Sequence, residues 1–286
     1  MSVKNSGDGC GFLPNGGLFP VAGSGYRVGM TSVNSPDPAP FDLLDPDAPG
    51  PALLLCDHAS NAVPAWCAGG DLGLSAADMA RHIAWDPGAA GVTRRLAQEL
   101  RAPAVMSRFS RLVIDPNRGA DDPTLVMKLY DGSIIPANRD AGPAEVARRR
   151  ALAYDPYHDA IAARIDAMLA RGTTPHLVSI HSFAPKLRGK PPRPWHVGVL
   201  WAHDDRLAPP LIARLRAEGD LVVGDNEPYT GRLEGDCMDR HGTRRGLPHV
   251  LIELRNDLIA DAPGQAAWAA RLVRLLAGLI PVAGDA

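Results

Sequence analysis

Apolar residues along this chain fall into two kinds of pattern. Short continuous runs occur at Leu53-Leu54-Leu55-Cys56, Ala104-Val105-Met106, Leu112-Val113-Ile114, His176 to Ile180, Val197 to Trp201, Leu221-Val222-Val223 and His249 to Leu254. Each is bounded by polar or turn residues and reads as a strand buried on both faces. Between them, apolar residues recur every three or four positions. Val92, Leu96 and Leu100 form one stripe of a helix from about Gly88 to Arg101. Tyr154, Tyr157, Ile161, Ile165 and Met168 mark a long helix or helix pair over 143–171. Ser75 is placed to cap a short helix reaching Ala84, and Pro209 to Glu218 forms another. A last helix runs from about Gln265 to Leu279, with Trp268, Leu272, Leu275 and Leu279 inward. Strands interleaved with helices predict an α/β fold, a largely parallel sheet covered on both faces.

Two stretches break this pattern. Residues 1–45 are rich in Gly, Ser, Asn, Pro and Asp without periodicity, and read as a loose extension ahead of one domain over 46–286. Residues 184–195, proline-rich and basic, form an ordered loop or lid rather than a helix. The composition changes the picture only by exclusion. In 286 residues, 30 Lys and Arg stand against 32 Asp and Glu, a net charge of -2, with 45% hydrophobic residues. That balance describes an ordinary globular protein and excludes the basic footprint of a nucleic-acid or membrane-surface binder. Cys10, Cys56, Cys67 and Cys237 form no CxxC pair, which favours a reducing compartment over a disulfide framework. No apolar stretch approaches the ~20 residues that span a bilayer, and no secretory signal pattern opens the chain. The expectation is a cytoplasmic protein with no nucleic-acid or membrane partner.

Candidate chemistry gathers where the predicted strands end: Asp57-His58-Ala59-Ser60-Asn61, Asp115-Pro116-Asn117-Arg118, His181-Ser182 and Glu253-Leu254-Arg255. In open α/β sheets ligands bind beyond the carboxyl ends of the strands, so these residues are placed to converge. His58 and His181 are candidate metal ligands, since neutral imidazole suits zinc. Glu253 interrupts an apolar run, where a carboxylate is costly unless paired or functional. It is either an ion-pair partner of Arg255 or another arginine, or a general base whose pKa burial raises toward neutrality. Arg111 and Arg118 are candidate carboxylate clamps, and Asp115-Pro116-Asn117 is also turn chemistry. Asp86, ahead of Pro87-Gly88, is either a helix cap or a third metal ligand. Tyr229 either donates to a reacting oxygen or packs. No G-x-S-x-G elbow supports a serine hydrolase.

Taken together, DHASNAVP (57–64), HIAWDPGA (82–89), SRLVIDPNR (110–118), SIHSF (179–183), DNEPY (225–229) and GLPHVLIELRNDLI (246–259) resemble the N-formylglutamate amidohydrolase family over about residues 50–265. That family is similar to zinc carboxypeptidases and acylamino-acid deacylases. The resemblance implies a three-layer α/β/α sandwich with a mixed, mainly parallel sheet and one catalytic zinc. It matches His58 and His181 to zinc histidines, Glu253 to the catalytic glutamate, Tyr229 to a substrate-side tyrosine, and Asn117 with Arg118 to a carboxylate-binding pair. Arg111, Asn61 and Ser182 fall on the substrate side. The family's His-x-x-Glu has Asn61 in place of its glutamate, so either the third ligand is Asp86 or Asn61, or tight metal binding is lost. The implied reaction is hydrolysis of the N-acyl amide of an acidic amino acid such as N-formylglutamate. The same chemistry on another acylamino acid or short peptide, and a metal-free binding module for acidic metabolites, are the alternatives.

Overall fold

The most apolar run in the chain sets the sheet. In the computed structural model, which describes residues 39–281, Leu53, Leu54 and Leu55 of β2 (Ala52–Cys56) are wholly buried. A strand apolar on both faces needs cover from two sides, and each such leucine contributes roughly 1.5–3 kcal/mol when covered. β2 accordingly lies inside the sheet, parallel to β3 (Ala104–Ser107) on one side and β6 (His176–Phe183) on the other. β6 pairs in parallel with β9 (His249–Arg255). Three further strands complete it: β1 (Phe41–Leu44) runs antiparallel to β3, while β7 (Val197–Leu200) runs antiparallel to β9 and parallel to β8 (Val223–Asp225). The order is β1-β3-β2-β6-β9-β7-β8, a mixed and mainly parallel sheet. A separate hairpin joins β4 (Leu129–Tyr130) to β5 (Ser133–Ile134).

Strand alternation divides the core. Leu54, Met106, Ile180 and Ile252 face a layer made by α2 (Ala89–Glu99), α5 (Ala208–Ala217) and α7 (Ala262–Leu276). Leu53, Leu55, Val105 and Leu251 face α4 (Asp155–Ala170) and α6 (Cys237–His241). The result is an α/β/α sandwich. α1 (Ala76–Met79) and α3 (Pro143–Arg149) pack instead on a third cluster, Met79 and Val146 lying against the group that contains Phe109, Val113 and Tyr154. Among the described residues, no helix is long and apolar enough to cross a membrane.

Several expectations are corrected. Phe41–Leu44, inside the stretch read as loose, form the edge strand β1; residues 1–38 of that stretch lie outside the described residues. Leu112-Val113-Ile114 is fully buried but is no strand. Side chains replace its ladder: Asn138 Nδ2 donates to the Leu112 carbonyl (2.8 Å), and buried Arg149 donates to the Val113 carbonyl (2.8 Å) and to Asn138 Oδ1 (2.7 Å). Ser75 does cap α1, accepting from the Asp78 N–H, yet the helix stops at Met79. The Ala84 carbonyl accepts from Ser110 Oγ and the Arg111 N–H instead of from a continuing helix. The long helical stretch over 143–170 carries a π-helical turn at Arg150–Tyr154, which turns Tyr154 inward to donate to the Arg118 carbonyl (2.8 Å). β8 lies two residues beyond the expected Leu221–Val223 strand, because Val222 is 45% exposed.

Candidate active site

The parallel strands bring distant segments to one sheet edge. β2 ends at Cys56 and the chain passes directly into Asp57 and His58. His181 of β6 stands in register with Glu253 of β9, on neighbouring strands ~4.8 Å apart. Asp86 arrives from the turn before α2, its N–H donating to the His58 carbonyl (2.9 Å). The cap position of α2 is taken by Gly88, at φ 84°, where glycine alone is unstrained. Asp86 therefore caps nothing with its side chain. Its Oδ2 accepts from the Ser182 N–H (3.1 Å) and lies 2.9 Å from His181 Nδ1 and 3.4 Å from His58 Nδ1.

Each imidazole is fixed from behind by a further carboxylate. His58 Nε2 donates to Asp115 Oδ1 (2.7 Å), and His181 Nε2 to Asp57 Oδ2 (2.8 Å). Asp57 is itself held by Tyr157 Oη (2.8 Å) and Ser179 Oγ (2.9 Å). Asp115 accepts from Arg111 Nη2 (2.8 Å) and from the Asn117 N–H (2.9 Å), so Asp115-Pro116-Asn117 is a turn closed by its own carboxylate. A carboxylate on one ring nitrogen sets the tautomer and leaves the other nitrogen as a lone-pair donor, the usual arrangement of metal-binding histidines. Burial alone would raise Asp57, Asp86 and Asp115. The histidines, with Arg111 at Asp115, outweigh it and hold all three below the ordinary carboxylate range. Burial alone would likewise lower His181, but its bonds to Asp57 and Asp86 keep it well above the ordinary imidazole range.

These residues fit a divalent cation on three counts. The donor atoms of His58, Asp86 and His181 all lie within 4.8 Å of one another. His58 Nδ1 and Asp86 Oδ1 are buried with no hydrogen-bond partner, a state native structures avoid unless something else satisfies it. Asp86 and Asp115 share the Arg111 guanidinium (3.6 and 2.8 Å) and Asp57 ion-pairs only with His181 among the described residues, so once the imidazoles are neutral, as metal binding requires, negative charge is left for an ion to balance. Two nitrogens and one oxygen also suit zinc and leave a coordination position open.

A cavity of about 370 Å³ opens on this cluster, lined among others by His58, His82, Arg118, Tyr229 and Glu253. Glu253 is buried, with Oε2 unpartnered, and burial pushes it up to about 7. Arg255, the expected partner in the structural reading, pairs with Asp257 instead (2.8 Å). Tyr229 follows a turn set by Asn226, whose Oδ1 accepts from the N–H groups of Trp201 (3.0 Å) and Gly231 (2.9 Å). Arg193 of the 184–195 loop donates to Tyr229 Oη (3.1 Å).

Other expected substrate-side residues are placed differently. Arg118 and Asn117 line the cavity, and Asn117 Oδ1 also accepts from the Cys237 N–H (3.2 Å). Arg111 lines it too, but its guanidinium is already closed on Asp115 and lies 3.6 Å from Asp86. Asn61 does not reach the cluster: Nδ2 donates to the Met79 carbonyl (2.9 Å). Ser182 is buried behind Asp86, its Oγ donating to the Pro87 carbonyl (2.9 Å). The sequence reading missed Asp57 and Asp115 as supports, and His82 and Tyr130 as cavity residues. The only signal for the first two was their place at the ends of apolar runs. His82 lies 3.3 Å from Asp86 Oδ1, one helical turn away in sequence.

Comparisons with known proteins agree with this arrangement. The family model for N-formylglutamate amidohydrolase matches residues 50–260. The crystal structure of gene product Atu2144 from Agrobacterium tumefaciens is similar at 38% identity and a TM-score of 0.79, covering 85% of this chain and 95% of that one. N-formylglutamate amidohydrolase from Ralstonia eutropha JMP134 shares the fold at 22% identity and a TM-score of 0.52, over 83% of this chain and 95% of that one. No curated protein matches the chain. A matched segment that runs from just before β2 to just past β9 takes in every residue of the buried cluster, and this chain, a hydrolase acting on an amide, belongs to the N-formylglutamate amidohydrolase family.

Proposed function

We propose that the protein is a zinc-dependent amidohydrolase that removes the acyl group of an N-acylamino acid, N-formylglutamate being the first compound the family suggests. The observation that carries this reading is Glu253: a buried carboxylate with no cationic partner among the described residues, in register with His181 and facing the cavity. His58, Asp86 and His181 would hold the ion, which when bound supplies Lewis-acid polarisation of the acyl carbonyl and acidification of water.

The chain's own residues perform the remaining steps. Glu253 takes a proton from the attacking water and returns it to the leaving nitrogen, a role suited to a carboxyl raised toward neutrality. Arg118, with Asn117, holds the substrate carboxylate and so fixes the amide over Glu253. Tyr229, held by Arg193, keeps its phenol protonated, since burial pushes its pKa up, and donates to the oxygen that gains charge. For N-formylglutamate the products are formate and glutamate.

The test is Glu253→Gln, which keeps the shape and removes the base. Turnover is expected to fall by about two to four orders of magnitude, with zinc content and melting temperature near those of the parent protein. Full activity in that variant rejects the mechanism. A large loss of stability would return Glu253 to a structural role.

A further inference from the structure

We infer that the cavity takes an N-acylamino acid with one carboxylate and an apolar side group of about leucine size, rather than a dicarboxylate. This rests on the amidohydrolase reading above and narrows its substrate.

The first argument is an inventory of charge. Two arginines line the cavity. Arg111 is occupied, with Nε and Nη2 on Asp115 Oδ2 at 3.2 and 2.8 Å. Arg118 makes no ion pair among the described residues; Nη1 donates only to the Asn117 carbonyl (2.9 Å). No lysine lines the cavity. His58, His82 and His181 gather on Asp86. His249 has both nitrogens engaged, with the Leu247 carbonyl (2.8 Å) and Thr243 Oγ1 (3.2 Å). The remaining ionisable wall groups include two carboxyls, Glu253 and Asp236. Arg193 is not among the lining residues: it lies over the Tyr229 ring, with Nη1 engaged by the Ala184 carbonyl (3.2 Å) and Tyr229 Oη (3.1 Å). Within the lining, one free guanidinium can receive one substrate carboxylate. A second would be desolvated among like charges with no free cation in the lining to pair with, which is costly.

The second argument is the shape of the wall. Residues two apart on a strand share a face, so His249, Leu251 and Glu253 all point into the cavity. At ~3.4 Å per residue the wall extends about 14 Å from Glu253 to His249. Across the sheet, Gly198 pairs with Glu253 and Leu200 pairs with Leu251. The wall therefore turns apolar one alternate position away from the base. Leu200, Leu251 and Met238 belong to one packed cluster, with Tyr229 against it, and all four also line the cavity. An aliphatic side group laid here is covered on several sides. A carboxylate laid here has no donor among those side chains except the Tyr229 phenol.

The experiment compares N-formyl-L-leucine with N-formyl-L-glutamate on zinc-supplemented protein. kcat/KM is expected to favour the leucine compound by roughly tenfold or more, the factor that burying a side chain of that size supplies. Calorimetric binding of both compounds to Glu253→Gln protein reads the same ranking without turnover. Leu233→Arg, at a cavity position 36% exposed, adds a second cation and should move the ranking toward N-formyl-L-glutamate. An equal or reversed ranking in the parent protein, or one that Leu233→Arg leaves unmoved, overturns this inference while the amidohydrolase reading stands. If neither compound is bound or hydrolysed, this inference falls; if N-acetyl counterparts are not hydrolysed either, the amidohydrolase reading falls with it.

Discussion

Among the described residues stand two buried groups of metal-type donors, His58 with Asp86 and His181, and His158 with Cys237 and His241. Residue type hardly separates them, yet their surroundings differ throughout. In the first, each imidazole has a carboxylate behind it, and both histidines line the cavity. In the second, His158 Nδ1 and His241 Nε2 lie 2.9 Å apart, so one ring donates to the other, and none of the three residues lines the cavity. Burial drives His158 down to about 3, helped by His241 and Arg240, and His241 down to about 4. Burial also holds the Cys237 thiol well above its ordinary range. The second group is thus a set of neutral side chains, while the first is an anionic nest open to ligand. Outer carboxylates and access distinguish a metal centre from a polar core.

That contrast can be broken most forcefully at Asp86. Asp86→Ala is expected to reduce zinc affinity by more than ~100-fold, beyond the 10–100-fold typical of an outer partner, whereas Asn61→Ala leaves zinc binding near the parent value. Equilibrium dialysis against a zinc indicator measures both. Retained zinc in Asp86→Ala, together with loss in Cys237→Ser, would exchange the roles of the two groups. A smaller effect should follow from Asp57→Asn, which removes the acceptor behind His181: about 10–100-fold in zinc affinity, with the bound stoichiometry recoverable at high zinc.

The smallest expected effect concerns the second group and pH. A histidine whose folded pKa lies below its unfolded value contributes stability that is present above about 6.5 and lost as pH falls toward the folded value. His158 and His241 therefore make the protein lose stability on acidification between about 6.5 and 4. Melting temperatures across that window should fall less steeply in His158→Asn than in the parent, and zinc content at pH 7 should match the parent. Parallel slopes would show that the pair does not titrate as its burial implies.

The strands and helices of the sandwich were legible because they carry local periodicity: β2, β3, β6, β7 and β9 all fall on runs visible in the sequence. Leu112-Val113-Ile114 misled because burial and hydrophobicity do not say where backbone bonds go. Those bonds go to Asn138 and Arg149, residues 25 and more positions later, which no local window contains. β1 escaped notice because an edge strand needs only one apolar face, and Phe41–Leu44 is only half-buried. At the site, the placement of His58, His181 and Glu253 at strand ends was readable from punctuation alone. Asp86 had two meanings in sequence, and only its distance from the histidines separates them. Arg111 looked like a clamp for a ligand because its partner, Asp115, is four residues on and was itself read as turn chemistry.

The side-chain suspension of residues 112–114 has a consequence for how the protein comes apart and how it can change. The segment continuing to Arg118 lacks a strand's ladder, so its resistance to opening depends on side-chain bonds: those of Arg149 and Asn138 at 112–113, and those of Asp115, Asn117 and Tyr154 beyond. Loosening of those bonds would be felt first at His58, which Asp115 holds, before the pairing of β2, β6 and β9 is touched. This reliance on side chains gives sequence drift a hinge point. Exchanges around Asn138 and Arg149 can re-aim Asn117 and Arg118, and with them the choice of ligand, without disturbing the strands that hold His181 and Glu253 side by side.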